Sequence, residues 1–443
     1  MAKIVLIGAN HAGTAAINTI LDNYKDNEVV VFDRNYNTSF LGCGMALWIG
    51  KQMVGGGDAL FYSGPDKLSE KGAKVHINTE IKRIDFDKKV IYYDQDGTEK
   101  TESYDKLILA TGSNPKIPQI PGIELENVQK VKLYQHAKEV IKKLERSDYK
   151  HITVVGAGYI GVELAEAFRR LNKEVALLST TSTCLSIYFD TEFGDMMIDT
   201  LQKNGIDVKF NQRLLEIKGD KKVESVVTNS EEFKTDMVIL ATGFEPNTAL
   251  GKNELKTFEN GAYLVNKKQE TSIKDVYAIG DCATVYDNAL EQPNYIALAT
   301  NAVRSGIVAA HNACGTAIES LGVQGSSGIS IYDLKMVSTG LTLKNAKIHN
   351  IDVSYTDFED NRLPEFMQTN DKVKLRIVYE TKTRRVVGMQ CASHYDISLL
   401  NHMFSLAIQE KLTIDRIALL DIFFLPHFNK PYNYITMASL TAK

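Results

Sequence analysis

The sequence lacks several features that would assign it to large classes of protein. No apolar run in its 443 residues reaches the ~18 to 20 residues that a membrane-spanning helix needs. Acidic residues outnumber basic ones, 55 to 51, so there is no positive surplus to neutralise a phosphate backbone. The first residues read as a strand rather than a signal peptide. We therefore expect a cytoplasmic protein that binds neither membranes nor nucleic acid.

Cysteine is also scarce. The five cysteines are an odd number, lie far apart along the chain and form no Cys-x-x-Cys pair. This pattern argues against a disulfide framework and against a zinc site, so we expect no bound metal. It leaves room for one reactive thiol among buried, structural ones.

A glycine turn follows the first predicted strand. Residues 3–8 read as a buried parallel strand, Gly8-Ala-Asn-His-Ala-Gly13 comes next, and an alanine-rich helix is predicted over residues 14–21. The N-terminus of such a helix presents free N–H groups and a partial positive charge to a pyrophosphate. Asp33 ends the next predicted strand and could accept hydrogen bonds from both ribose hydroxyls. We interpret this unit as a dinucleotide site, with Asn10 in place of the usual middle glycine.

A second and complete glycine turn, Gly156-Ala-Gly158-Tyr-Ile-Gly161, follows a predicted strand that begins at His151. A helix over residues 162–171 and a strand over residues 174–178 should follow it. Two such units predict two dinucleotides. The second strand ends in Ser179, where an NAD site usually has an acidic residue, so nothing at this position repels a 2'-phosphate. We expect NADH to be the reductant and NADPH to be tolerated.

Three more apolar segments end in tight turns, at residues 107–113, 238–243 and 276–281. With the two glycine turns, their order resembles that of the two-dinucleotide-fold flavoprotein disulfide reductases. The resemblance implies an α/β fold with two Rossmann-like domains and a C-terminal α+β dimerisation domain. The expected domains are FAD-binding (1–112 and 244–318), NAD(P)H-binding (113–243) and C-terminal (319–443). It also implies a homodimer or a larger oligomer, with Asp281 on the ribityl chain of the flavin.

The resemblance becomes more specific, to one branch of this family, at the segment Ser39-Phe-Leu-Gly-Cys43-Gly-Met-Ala-Leu-Trp48. Dithiol relatives have a second cysteine at the position of Trp48, so Cys43 can cycle only through a sulfenic acid or a mixed disulfide. This restricts the resemblance to NADH peroxidases, water-forming NADH oxidases and coenzyme A disulfide reductases. Long stretches, including residues 295–304 and 423–434, are similar to the water-forming NADH oxidases of lactic-acid bacteria and streptococci.

That resemblance implies a mechanism with two catalytic residues. Tightly bound FAD takes hydride from NADH, O2 is reduced to peroxide, and the Cys43 thiolate cleaves the O–O bond. A second NADH reduces the resulting sulfenic acid, so two NADH yield two water molecules from one O2. His11, beside the N-terminus of the first helix, should favour the thiolate and hydrogen-bond the departing hydroxide.

The predicted cofactor-binding residues extend over all three domains. A helix N-terminus at residues 297–300 should point to the pyrimidine end of the flavin, and the tail should carry Phe424 to the flavin of the partner. The full set is Gly8, Asn10, His11, Ala12, Gly13, Asp33, Arg34, Cys43, Ile81, Ala110, Thr111, Gly112, Ser113, Lys132, Gly156, Gly158, Tyr159, Ile160, Gly161, Glu163, Ser179, Tyr188, Gly243, Asp281, Ala297, Leu298, Ala299, Thr300, Gly328 and Phe424.

Three alternatives stay open from the sequence. An NADH peroxidase would share Cys43 and His11 and differ in the access of O2 to reduced flavin. A coenzyme A disulfide reductase is disfavoured because residues 12–24 contain no Lys or Arg to bind the coenzyme's phosphates. A redox sensor or electron-transfer partner would use oxidation of Cys43 without rapid turnover.

Overall fold

The computed structural model describes residues 2–146 and 148–443. The elements of the first part of the chain are β1 (Lys3–Ile7), α1 (His11–Asn23), β2 (Glu28–Phe32), α2 (Met45–Ile49), α3 (Pro65–Glu70), β3 (Lys74–His76), β4 (Ile81–Asp85), β5 (Val90–Gln95), β6 (Thr98–Ser103) and β7 (Lys106–Leu109). Short 3-10 helices lie at Gly42–Gly44, Gly56–Leu60 and Gly280–Cys282.

The middle of the chain forms a second group of elements. They are β8 (Ser113–Pro115), β9 (Val128–Lys130), α4 (Tyr134–Leu144), β10 (His151–Val155), α5 (Tyr159–Arg170), β11 (Glu174–Leu178), α6 (Thr191–Lys203), β12 (Ile206–Lys209), β13 (Leu214–Lys218), β14 (Ser225–Thr228), β15 (Glu232–Lys234), β16 (Met237–Leu240) and β17 (Phe244–Pro246).

The remaining elements complete the first sheet and build a third unit. They are β18 (Val276–Ala278), β19 (Val285–Asp287), β20 (Gln292–Asn294), α7 (Ala299–Ala313), β21 (Ser327–Ile331), β22 (Leu334–Gly340), α8 (Leu343–Ile348), β23 (Val353–Asn361), β24 (Lys372–Glu380), β25 (Val386–Ser393), α9 (Ser398–Gln409), α10 (Ile414–Ala418) and α11 (Tyr434–Leu440).

Two parallel sheets of five strands carry the two glycine turns. The first has the order β18-β7-β1-β2-β3 and the second the order β12-β11-β10-β16-β9. In each, the strand before the glycine turn is central and pairs in parallel with its neighbours. Such strands are buried on both faces, which explains their continuous apolar sequences. The two predicted Rossmann-like units are confirmed.

The chain crosses between these sheets through a short antiparallel pair. It leaves the first sheet after β7, and β8 pairs with β17, so the outgoing and returning segments run side by side. It returns to the first sheet at β18, next to β7. The second unit is therefore inserted into the first, as the resemblance implies.

The third unit is an antiparallel sheet of five strands, in the order β21-β22-β25-β24-β23, with α9 and α11 packed against it. A buried ion cluster joins it to the second unit. The Arg376 side chain, 1% exposed, contacts Asp190, Glu192 and Asp357. A buried guanidinium requires such partners because an unpaired charge there would be costly.

Both glycine-turn helices begin earlier than the sequence analysis predicts. We expect them to start at residues 14 and 162, whereas α1 begins at His11 and α5 at Tyr159. Gly13 and Gly161 therefore lie inside the first turn of each helix. Glycine has a low helix propensity, so the sequence pattern alone places the boundary after it.

Candidate active site

The first glycine turn brings two stretches of backbone into close contact. Gly8 has a φ of +101°, and a Cβ there would lie 2.2 Å from the carbonyl oxygen of Ala110. A Cβ on Gly13 would lie 2.0 Å from the carbonyl oxygen of Gly8. Any other residue would push α1 away from the strands. Since the side chain of Asn10 does not cap α1, the first N–H groups of the helix are available to an anion.

Asp33 follows β2 directly and is buried beside this turn. Its Oδ2 accepts a hydrogen bond from the backbone N–H of Ala9 at 2.8 Å. Its Oδ1 accepts from the backbone N–H and the side-chain amide of Asn35 at 2.8 and 3.0 Å. Burial raises the pKa of the carboxyl, and these donors oppose the shift. Oδ2 therefore keeps a lone pair with which to bind a ribose hydroxyl, whereas both lone pairs of Oδ1 are occupied.

A cavity of about 350 Å³ connects this turn to Asp33 and to the ends of β1, β2 and β7. Its lining includes ten predicted residues: Gly8, Asn10, Asp33, Arg34, Ile81, Ala110, Thr111, Gly112, Ser113 and Lys132. Asn35, Thr79, Glu80 and Asn247 also line the cavity, although no sequence motif predicts them. They lie on irregular loops, where no periodic pattern marks them.

A chain of polar contacts includes two residues that line this cavity, Ser113 and Lys132. Lys132 donates a short hydrogen bond to the hydroxyl of Ser113, which donates to Oδ2 of Asp281 at 2.7 Å. The Lys132 Nζ also lies 4.2 Å from the centre of the Phe244 ring. Burial lowers the pKa of Lys132, while Asp281 opposes that shift. Three residues far apart in sequence are thus held together at the predicted ribityl site.

The second glycine turn repeats the backbone geometry of the first. A Cβ on Gly156 would lie 2.2 Å from the carbonyl oxygen of Ala241, and one on Gly161 would lie 1.8 Å from that of Gly156. A Cβ on Gly158, in contrast, would meet no atom within 4 Å. Packing within the protein therefore does not require glycine at 158. The open space there suits the close approach of a pyrophosphate.

The strand after this turn ends in hydroxyl groups. Ser179 is 8% exposed, and its Oγ lies 2.8 Å from Oγ1 of Thr181. The Thr181 hydroxyl in turn donates to the carbonyl oxygen of Thr183 at 2.9 Å. Neutral groups therefore occupy the position at which an acidic residue would exclude a 2'-phosphate.

Cys43 lies on the short 3-10 helix before α2, and its side chain is exposed. The loop that carries it is bound to the first glycine turn, because the N–H of Ser39 donates to the carbonyl oxygen of Ala9 at 2.9 Å. It is also bound to the end of the next 3-10 helix, because the N–H of Leu41 donates to the carbonyl oxygen of Leu60 at 2.8 Å. The thiol and the first nucleotide turn are therefore fixed relative to each other.

The surroundings of Cys43 favour its thiol form. Desolvation by nearby protein atoms raises the pKa of Cys43, and the Glu163 carboxylate raises it further. Backbone N–H groups of Cys43 and Gly44 oppose this shift. Burial is also the main cause of the raised pKa of Cys184, about 12, and of Cys314, about 11. The role of Cys43 as the reactive thiol stays a prediction, as does the thiolate-stabilising role of α1 and His11.

Glu163 and Tyr159 lie on the first two turns of α5. Burial raises the pKa of Glu163 to about 7, and the charge of Glu166 adds to the shift. The Tyr159 ring lies 4.4 Å from that of Tyr188, between ring centres. Its hydroxyl donates to Oγ of Ser327 at 2.9 Å, next to Gly328. Residues predicted to bind the second nucleotide thus meet the third unit here.

His11 is the first residue of α1, and its ring contacts Tyr62. The Nδ1 atom lies 3.1 Å from the Tyr62 hydroxyl oxygen. The two rings are stacked, with centres 5.8 Å apart and planes 6° apart. Burial lowers the pKa of His11, and the charge of Asp281 opposes that shift. Tyr62 belongs to no recognisable motif and is not among the residues predicted from the sequence.

Two further predicted groups are the N-terminus of α7 and the tail that carries Phe424. Helix α7 begins at Ala299 with Leu298 as its N-cap, so Ala297 precedes the helix that was expected to include it. Phe424 lies on the tail and is 47% exposed. Neighbouring apolar side chains of the tail are exposed as well: Phe423, Leu425, Phe428 and Tyr432.

Within residues 2–146 and 148–443, no helix is both long and apolar enough to cross a membrane. Over the same residues, no three His, Cys, Asp or Glu side chains are grouped as a metal site would require.

One dinucleotide-binding fold is inserted into another, and an exposed cysteine lies on a loop bound to the first glycine turn. This arrangement defines an oxidoreductase that uses two nucleotides. The chain belongs to the pyridine nucleotide-disulphide oxidoreductase family, whose model matches residues 2–306. The model of that family's dimerisation domain matches residues 327–433.

Individual relatives cover the whole chain. It is 57% identical to an NADH oxidase from Streptococcus pyogenes and 50% identical to one from Lactococcus lactis, over 100% of both chains in each case. Among solved structures, it is similar to the water-forming NADH oxidase from Lactobacillus brevis bound to NADH. That match has a TM-score of 0.96 and 37% sequence identity, over 99% of this chain and 98% of the other.

Proposed function

We propose that this protein is an FAD-dependent, water-forming NADH oxidase that reduces one O2 to two water molecules with two NADH. The observation that carries the proposal is the position of Cys43. Of the five free cysteines it is the exposed one, and its loop is bound to the first glycine turn. The relatives named NADH oxidase, and the one named water-forming, support the same activity.

The residues of the first unit fit FAD. We expect Asp33 to bind the adenosine ribose, the first turn of α1 to bind the pyrophosphate, and Asp281, with Lys132 from the adjoining segment, to hold the ribityl chain. A Cβ on Gly112 would meet no atom within 4 Å, which leaves room for a cofactor against the backbone. When bound, FAD would accept hydride from the reduced nicotinamide and pass electrons to oxygen.

Cys43 performs the second half of the reaction. Its sulfur attacks the O–O bond of peroxide, forms a sulfenic acid and releases one oxygen atom as water. Two electrons from a second NADH, with two protons, then convert the sulfenic acid to the thiol and release the second water. His11 donates a proton or a hydrogen bond to the departing oxygen. Retention of peroxide until it meets Cys43 is what separates a water-forming oxidase from a peroxide-forming one.

The second unit binds the reductant. We expect the open space at Gly158 to receive the pyrophosphate of NADH, and Glu163 and Tyr159 to contribute to the same nucleotide site. Because neutral hydroxyls of Ser179 and Thr181 replace the usual carboxylate, NADPH is also accepted. NADH is a cytoplasmic metabolite, so we infer that the enzyme works in the cytoplasm.

The third unit makes a homodimer. Its tail exposes Phe423, Phe424, Leu425 and Phe428 together, and contiguous exposed apolar groups mark an interface. The match to a dimerisation domain supports this assembly. We assign residues 1–112 and 244–318 to the FAD domain, 113–243 to the NAD(P)H domain and 319–443 to the dimerisation domain.

The stoichiometry of oxygen consumption tests the proposed activity. Purified holoenzyme in an oxygen electrode should consume one O2 for every two NADH. Addition of catalase at the end should return no oxygen, because no peroxide accumulates. If NADH consumption requires added peroxide, the protein is an NADH peroxidase instead. A one-to-one ratio with oxygen release on catalase addition would exclude a water-forming enzyme.

A further inference from the structure

Tyr62 lies where three segments of the active site converge. The N–H of Ser63 donates to Oγ of Ser39 at 2.8 Å, and the N–H of Leu41 donates to the carbonyl oxygen of Leu60 at 2.8 Å. Residues 60–63 are thus bound on both sides of Tyr62 to the loop that leads to Cys43. That loop is bound in turn to the first glycine turn, on which His11 lies.

The contact between Tyr62 and His11 is defined in both distance and orientation. The hydroxyl oxygen and Nδ1 are 3.1 Å apart, and the ring planes differ by 6°. The near-parallel ring planes and the contact at Nδ1 together define the orientation of the imidazole. Together they distinguish the two ring nitrogens, because only Nδ1 is engaged by the phenol.

The chemistry of the two groups decides which of them donates. Burial lowers the pKa of His11 and raises that of Tyr62, so both are neutral at neutral pH. A neutral imidazole has one N–H donor and one acceptor nitrogen. A phenol hydroxyl is a good donor and a poor acceptor, whereas an imidazole nitrogen is a strong acceptor. The O–H of Tyr62 therefore donates to Nδ1.

We propose that Tyr62 is a positioning residue whose hydroxyl holds His11 in the tautomer that carries its proton on Nε2. The Nε2–H group of His11 is then the donor that the active site can use. Tyr62 touches neither substrate nor cofactor in this role and acts only through the imidazole. The consequence for water formation depends on the proposed function, whereas the tautomer itself does not.

Nitrogen-15 NMR of the oxidised holoenzyme, labelled at histidine, tests the tautomer without turnover. The chain has nine histidines, and a His11→Gln variant identifies the His11 signals. In the native protein, Nδ1 should be unprotonated and Nε2 protonated. Tyr62→Phe keeps the stacked ring and removes the hydroxyl, so the proton should redistribute between the two nitrogens.

Tyr36→Phe is the matched control. Tyr36 is 46% exposed, similar to Tyr62 at 43%, and packs edge-on against Tyr134 instead of His11. Removal of the Tyr36 hydroxyl should leave the His11 signals unchanged. Unchanged signals in Tyr62→Phe would overturn the proposal. If Tyr62→Phe does not fold, a native protein with Nδ1 protonated would overturn it equally.

Product analysis then separates this proposal from the proposed function. Tyr62→Phe should release severalfold more peroxide per NADH, while anaerobic reduction of the bound flavin by NADH keeps its native rate. A shifted tautomer with unchanged water formation would support the positioning role and overturn the role of His11 in peroxide cleavage. A shifted tautomer in an enzyme that never forms water would overturn the proposed function alone.

Discussion

The indole of Trp48 stacks on the ring of Tyr134, with ring centres 5.0 Å apart and planes 14° apart. Tyr134 is the first residue of α4, and its ring also packs edge-on against Phe40 and Phe61. A Cβ on Gly57 would lie 2.4 Å from the indole, so the chain approaches it closely there. The position at which dithiol relatives have their second cysteine is thus part of the aromatic packing in this protein.

Trp48→Ala should therefore destabilise the protein. Truncation of a fully buried tryptophan costs about 3 to 5 kcal/mol. Because Trp48 is only partly buried, we expect about 2 kcal/mol. Denaturant unfolding followed by fluorescence or circular dichroism would measure the loss. Leu47→Ala is the control, since Leu47 is 46% exposed in the same helix, and its cost should be well below that of Trp48→Ala.

Cys43→Ser should convert the enzyme from water formation to peroxide formation. The hydroxyl of serine cannot form a sulfenic acid, so peroxide leaves uncleaved. We expect a ratio close to one O2 for each NADH, with oxygen returned when catalase is added. Cys314→Ser is the control, because Cys314 is a partly buried thiol elsewhere in the fold. If the Cys43→Ser enzyme still forms only water, the proposed role of the thiol is wrong.

Ser179→Asp should make the enzyme selective for NADH. A carboxylate at this position would repel the 2'-phosphate of NADPH and accept hydrogen bonds from the ribose of NADH. We expect the ratio of NADPH to NADH affinity to fall by about tenfold or more, equivalent to 1.4 kcal/mol or more. Dissociation constants from nucleotide fluorescence would measure the change.

Ser182→Asp tests whether the effect depends on position. Ser182 is exposed in the same segment, so the added charge is nearby but in contact with water. It should change the affinity ratio much less than Ser179→Asp. Equal effects of the two variants would mean that the added charge repels the 2'-phosphate through long-range electrostatics. Ser179 would then not lie at the ribose.

Glu163→Gln should change how stability depends on pH. The folded protein raises the pKa of Glu163 to about 7, above its ordinary value of 4.5, so folding favours the protonated carboxyl. That contribution is complete below about pH 4.5 and is lost as the pH rises through 7. Glutamine stays neutral throughout this range.

The stability of the native protein relative to Glu163→Gln should therefore fall between pH 4.5 and 7, by about 3 kcal/mol at most. Thermal or denaturant midpoints of both proteins, measured at several pH values, would test this. A difference that does not vary with pH would show that Glu163 ionises as freely in the folded chain as in the unfolded one.

Local sequence determined the two nucleotide-binding units, because the physics of each unit is local. Gly8 and Gly156 adopt a positive φ directly after the strand they follow, and Gly13 and Gly161 each approach the carbonyl oxygen of the glycine five residues earlier. The apolar strands before them must be central and parallel, as β1 and β10 are. The sequence also predicted Cys43 to be a single redox-active cysteine, because position 48 is a tryptophan instead of a second cysteine.

Only the tertiary structure decided which side chains act together. The Lys132, Ser113 and Asp281 contacts and the pairing of Tyr62 with His11 each join segments separated by long stretches of chain. The burial that raises the pKa of Glu163 likewise comes from packing around α5. Such contacts depend on how the loops of several strands meet at one edge of a sheet, which no periodicity or spacing within one segment encodes.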